Sequence, residues 1–166
     1  MDSITIDDVR QLVTSAGEQL TAAEAAAEAG WFHQVCFMTA ASVESALLAQ
    51  VYAFEPEIRA AGLWKDTDRP LTKWTLDRLI QVAVRMSWLP STIGQLPNDR
   101  ITETLAGEVG DAVRFVQYMR NIAGHPGKHV AEVPWLTIGK SESDLVLGIA
   151  DAVFERLKAA LNSLES

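Results

Sequence analysis

Residues 117–130 read QYMRNIAGHPGKHV and place Arg120 and Asn121 shortly before His125. An imidazole changes charge near neutrality and so moves protons. A planar guanidinium grips phosphate or carboxylate through paired N–H donors. The stretch is locally basic: no Asp or Glu occurs from Ala112 to Ala131, whereas Arg114, Arg120 and Lys128 are cationic and His125 and His129 lie close by. Chance clustering explains this window about equally well. A purely structural reading also stands beside the chemical one. Helices commonly end with a glycine just past the last turn and a proline soon after, as Gly124 and Pro126 do here, and Arg120 near such an end complements the helix dipole.

The elements that must position these residues are helical. A first helix is expected over 7–29, opened by Thr5 and Asp8 in a capping-box-like arrangement. Val9, Leu12, Val13, Ala16, Leu20, Ala23 and Ala27 form its apolar stripe, and Gly30 ends it. A second, over 31–54, aligns Cys36, Ala40, Val43, Leu47, Val51 and Phe54 before Pro56 stops it, and 56–62 has room for a further turn or two. A third is expected over 70–88 with Pro70 in its first turn and Leu76, Leu79, Ile80, Ala83 and Met86 buried. Residues 91–100 read as a loop. A fourth helix spans 110–123, with a start as early as Thr102 open, and buries Ala112, Phe115, Val116, Met119, Ile122 and Ala123. A long connection, 124–140, contains VPWLTI as a candidate extended segment. A last helix runs from Ser141 or Ser143 to Leu164 with Leu145, Ile149, Val153, Leu157, Leu161 and Leu164 in line. One apolar stripe per helix, no repeat and no second core predict an all-α chain, a single bundle of about five helices occupying residues 1–166.

At about 100° per residue, Arg120 falls at the edge of the fourth helix's buried stripe, on a ridge with Val113 and Gln117. In a continuing helix His125 would lie about 140° away from it. A residue before proline is disfavoured in the helical conformation, so the chain should leave the axis at His125, freeing the imidazole to turn back or to meet a second subunit. Glu44 sits beside the Val43/Leu47 stripe of the second helix. A partly buried carboxylate there wants a partner, and Arg120 or His125 is the candidate; an ordinary helix-flank glutamate is the alternative.

The remaining composition narrows the field. The 166 residues carry 48% apolar and 22% charged side chains, as an ordinary globular domain does, and no run approaches ~18 uninterrupted apolar residues. The acidic start MDSITIDDVR has no basic-then-apolar leader pattern, and Cys36 stands alone. The expectation is a cytoplasmic protein without membrane association. A net charge of −8 argues against broad phosphate-driven nucleic-acid binding. There is no glycine-rich phosphate loop, and one cysteine and three histidines without paired ligand spacing do not make a structural zinc site. Neither a metal nor a cofactor is expected. The dispersed tryptophans 31, 64, 74, 88 and 135 read as core and rim packing, and His33 as structural.

Arg120-Asn121 followed by His125 resembles the R-x(4–6)-H motif of HEPN-domain proteins, polar residue after the arginine included. AASVESALLAQVYAF at 40–54 resembles the early bundle helix of that superfamily, and the order of elements is similar too. The histidine-proline ending is most similar to uncharacterised bacterial members; Pro126 and Gly127 stand where some toxin members carry a tyrosine. The resemblance implies metal-independent RNA cleavage in a homodimer whose two motif copies face a shared groove. In that chemistry the 2′-OH attacks its own phosphate to leave a 2′,3′-cyclic phosphate. His125 would move the proton, Arg120 would stabilise the transition-state charge, and Asn121 would hold the imidazole or a phosphate oxygen. Glu44 would support them, and Arg114, Lys128 and His129 would contact RNA phosphates. A role in defence or stress, with a cognate nucleotidyltransferase-type antitoxin as a partner, belongs to the same expectation. The alternative is a non-catalytic HEPN-type module that binds a partner protein or nucleotide through the same groove. A bundle unrelated to that superfamily, with Arg120 capping its own helix, is a third reading.

Overall fold

Thr5 and Asp8 open the first helix as the sequence predicts. The Thr5 N–H donates to Asp8 Oδ2 at 2.7 Å, and the Asp8 N–H returns to Thr5 Oγ1 at 3.2 Å. The Thr5 N–H foremost, and then the Thr5 hydroxyl donating to Asp8 Oδ2 at 2.8 Å, hold the Asp8 carboxyl below the usual carboxylate range, so the cap is complete above that range and is lost as pH falls through the lowered value. The computed structural model describes residues 4–64, 73–89 and 111–165. Within them lie helices α1 (Ile6–Glu28), α2 (Phe32–Ala53), α3 (Glu55–Ala60), α4 (Leu76–Arg85), α5 (Asp111–Gly124), α6 (Pro126–Glu132) and α7 (Lys140–Leu164). The chain is an all-α bundle. Pro70, the 91–100 loop and an α5 start near Thr102 fall outside the described residues.

The number of helices exceeds the expected five because two prolines begin helices as well as ending them. Pro56 and Pro126 occupy the first turns of α3 and α6, where a missing N–H costs nothing. The second of these places a helix inside the expected long connection. VPWLTI does not run straight: a turn at Pro134–Trp135 follows Val133, and Val133, Leu136 and Ile138 drop into the core.

Helix α2 organises the rest. Its buried set runs around most of its circumference, from Val35, Cys36 and Thr39 to Leu47, Leu48, Ala49 and Tyr52. Helices α1, α4, α5 and α7 all pack on it. By length and composition α2 is apolar enough to cross a membrane, and in this fold the surrounding helices take up that apolar surface. Ser42 Oγ donates to the Ala16 carbonyl at 2.8 Å, tying α2 to α1 through a buried polar bond. Burial pushes the Cys36 thiol up to about 12, with the Glu142 carboxylate adding to the shift. The folded chain keeps that thiol protonated, so the group favours folding below pH 9 and that contribution is lost as pH rises from about 9 through about 12.

Helix α7 buries Ser143, Val146, Ala150, Val153 and Leu157, a face rotated slightly from the expected line. Small Ala150 sits at the centre, while the larger Leu145 and Ile149 flank it half-buried and Leu164 is exposed. Close approach to α2 selects the small side chains for the contact, and the leucine-rich line lies beside it.

Helices α1, α3 and α4 end alike. After α1, Gly30 has φ +75° and the Trp31 N–H reaches back to the Ala26 carbonyl at 2.8 Å; after α3, Gly62 has φ +72° and the Leu63 N–H reaches Ile58 at 3.1 Å. After α4 the same turn is made by Ser87 at φ +61°, with the Trp88 N–H on the Ala83 carbonyl at 2.8 Å. This is why α4 stops at Arg85 and Trp88 folds back, short of the expected end. An L side chain in the left-handed region is strained. Ser87→Gly is therefore expected to stabilise the protein by several tenths to about 1 kcal/mol in urea denaturation.

The tryptophans divide into two groups. Trp64 and Trp74 pack edge-to-face at 5.3 Å, Tyr52 meets Trp64 at 5.6 Å, and the Arg59 guanidinium lies 4.8 Å over the Trp64 ring. Trp31 departs from the packing expectation, standing 62% exposed at the start of α2.

Candidate functional site

Helices α2 and α5 run side by side in opposite directions, and the candidate residues lie along their seam. On α2, His33, Phe37, Ala41 and Glu44 follow at i, i+4, i+8 and i+11, one ridge within about 80° of arc. On α5, Asn121 and Gly124 lie in the last turn and Arg120 immediately precedes it. The Arg120 Nη1 stands 3.6 Å from Glu44 Oε2, the side chains being 32% and 40% exposed. That distance is an ion pair and exceeds hydrogen-bond length, so the remaining guanidinium donors stay open to an anion. Of the two partners considered for Glu44, the fold provides Arg120.

One turn further along α5, the Phe37 ring rests on Gly124. A Cβ added at Gly124 would meet Phe37 Cε1 at 3.3 Å and Cζ at 3.7 Å. Gly124 remains the last helical residue of α5 and does not adopt the left-handed turn of Gly30 and Gly62. The helix stop expected of Gly124 is instead made at His125, whose backbone opens to φ −131° and ψ 80° ahead of Pro126. What the missing side chain at 124 provides is room for an aromatic ring. His125 is exposed, initiates α6, and makes no side-chain cap bond. Asn121 is half-buried between Arg120 and the core.

The other cationic residues of the stretch are engaged within the chain. Arg114 pairs with Asp77 of α4 and donates to Gln117 Oε1 at 2.9 Å, leaving its side chain 11% exposed. Six residues before Arg120, it lies about 9 Å along and 120° around α5, so it locks the α4–α5 seam. His129 bonds through Nε2 to the Leu136 carbonyl. A carbonyl only accepts, so Nε2 carries the proton, and the ring clips α6 to the segment that follows. Lys128 faces Glu132 at 3.8 Å one turn on, which offsets the local positive charge. Burial foremost, and then the Glu132 carboxylate, push the neighbouring Tyr118 phenol up. Among the described residues no group of three or more His, Cys, Asp or Glu side chains gathers to hold a cation.

Phe37 is the seam residue that sequence reasoning passed over. Its signal was an aromatic placed off the Cys36/Ala40/Val43/Leu47 line. Fold and site together define an all-α helical bundle with an arginine–glutamate pair and an exposed histidine at the end of one helix. No family model matches the chain, and neither a curated protein nor a solved structure matches it.

Proposed function

We propose that the chain is a HEPN-type endoribonuclease acting as a homodimer, with the α2–α5 seam as its cleavage groove. The observation that carries the reading is Arg120 held at 3.6 Å by Glu44 while His125, five residues on, stays exposed. An exposed ion pair of this kind is worth about 0–1 kcal/mol, so a phosphate entering the groove displaces or shares it at little cost. The 2′-oxygen attacks the adjacent phosphorus, the P–O2′ bond forms and the P–O5′ bond breaks. His125 takes the 2′ proton as general base. The 5′ oxygen leaves with a proton from an imidazolium, the second copy of His125 in the dimer. Arg120 meets the charge that grows on the non-bridging oxygens, its fork matching two of them at once, and Asn121 orients the phosphate or the imidazole.

The experiment is incubation of the purified protein with RNA in EDTA and analysis of the new ends. The expected products carry a 2′,3′-cyclic phosphate and a 5′-OH, and a 2′-deoxy substitution at the cleavage position blocks them. Intact RNA, or 3′-OH ends, would refute the reading.

A second reading, a non-catalytic module of the same type that binds a partner protein or nucleotide through this groove, is favoured by the net charge of −8 and by the exposed apolar side chains of Trp31 and Val130. It predicts binding without cleavage.

A further inference from the structure

Phe37 has no packing reason to be aromatic. Its neighbours on α2, Val35, Cys36, Thr39 and Ala40, are all buried, whereas Phe37 is 41% exposed. One edge of its ring lies against Gly124, with Cε1 3.3 Å from the place a Cβ would take there. Any side chain at 124 would press on the ring, so the glycine and the phenylalanine form one feature. That feature stands between the two chemical groups of the seam. Gly124 is one turn, about 6 Å, beyond Arg120 along α5, and it immediately precedes His125. On α2, Phe37 shares its ridge with Glu44, the residue that holds Arg120.

We propose that Phe37 is a nucleobase subsite: its open π-face stacks the base of a nucleotide next to the phosphate held by Arg120. This rests on the ribonuclease reading of the same groove for its substrate. A phosphate on the guanidinium places the adjoining sugar or base toward the α5 terminus, where the partly exposed Phe37 ring offers an apolar face beside the backbone. Stacking on an aromatic side chain is a sequence-tolerant way to hold an unpaired base. Contact with Gly124 along one edge leaves the ring less freedom to lose on binding. The arrangement selects nucleotides whose bases are free of a duplex, and it sets the base and the phosphate in one register for His125.

The test uses the full chain, Phe37→Leu and Phe37→Trp, with two readouts. In the first, an uncleavable 2′-deoxy oligonucleotide carries 2-aminopurine on either side of the target phosphate. Its fluorescence is quenched by stacking in the wild type and in Phe37→Trp, and the quench is lost in Phe37→Leu. In the second, Phe37→Leu raises KM for RNA roughly tenfold with little change in kcat, Phe37→Trp restores KM, and an abasic nucleotide at the quenched position erases the difference between wild type and Phe37→Leu. An undiminished quench in Phe37→Leu overturns the subsite. So does a Phe37→Leu protein that sediments at lower mass than the wild type, because the ring would then be a subunit contact. The fluorescence arm decides the subsite whether or not RNA is cut. Cleavage that proceeds with a quench indifferent to Phe37 removes the subsite and leaves the nuclease; a Phe37-dependent quench without cleavage does the reverse.

Discussion

Arg120→Ala should lower single-turnover RNA cleavage by about 10³-fold while leaving the melting curve nearly unchanged. The size follows from removing a preorganised cationic donor aimed at transition-state charge, an effect of about 10²–10³ in comparable sites. The unchanged stability follows from the geometry: the side chain is one third exposed, and among the described residues its ion pair is a 3.6 Å contact with a more exposed carboxylate, worth under about 1 kcal/mol. Arg120→Lys should recover little, since a point charge does not reproduce the two-pronged fork. Glu44→Gln should cost no more than about fivefold, the kinetic equivalent of that weak ion pair. Equal losses in the Arg120 and Glu44 variants, or an Arg120→Ala protein that cleaves normally, would show that the guanidinium does not carry the chemistry.

Phe115→Ala has the opposite profile. Phe115 is fully buried on the core side of the same helix, and its truncation is expected to cost about 3–5 kcal/mol through lost burial and a residual cavity. Against a typical total of about 5–15 kcal/mol, this lowers the thermal midpoint by roughly 10 °C in a chain of this size. Urea denaturation measures the loss directly. The activity per folded molecule should remain within severalfold of wild type, because Phe115 lies about 140° around α5 from Arg120. A midpoint unchanged by Phe115→Ala would contradict the close packing of α5 on α2. The two variants thus separate the helix's supporting face from its chemical edge.

Much of this was readable from spacing alone. Stripes of apolar residues located α1, α2, α4, α5 and α7, and the edge position of Arg120 on its stripe anticipated a side chain covered on one flank. The partly buried Glu44 was legible as a residue needing a cation, because its neighbours Val43 and Leu47 are core. Helix α3 was anticipated only as a further turn or two over 56–62 and α6 escaped, since six or seven residues carry too few turns to show a period, and Pro56 and Pro126 signal an end and a beginning with the same ring. The pairing of Arg114 with Asp77 and the seating of Phe37 on Gly124 depend on the register between two helices distant in sequence. Periodicity along one helix contains no such information. That is also why Gly124 read as a cap: its own neighbourhood, Arg120 to Pro126, fits that role, and the ring that requires it lies on α2.

The burial of α2 on almost every side bears on how the groove behaves in time. Local openings of a protein begin where few buried contacts resist them, and the best-covered segments open last. Helix α6 has no buried residue, so excursions of the chain near His125 can occur while α2 stays in place. Among the described helices, Phe37 and Glu44 therefore ride on the one best covered against opening, and His125 borders the one least covered. In the proposed groove α2 is expected to act as the fixed reference and α6 to supply the movement, with the His125–Pro126 junction as the boundary between two timescales.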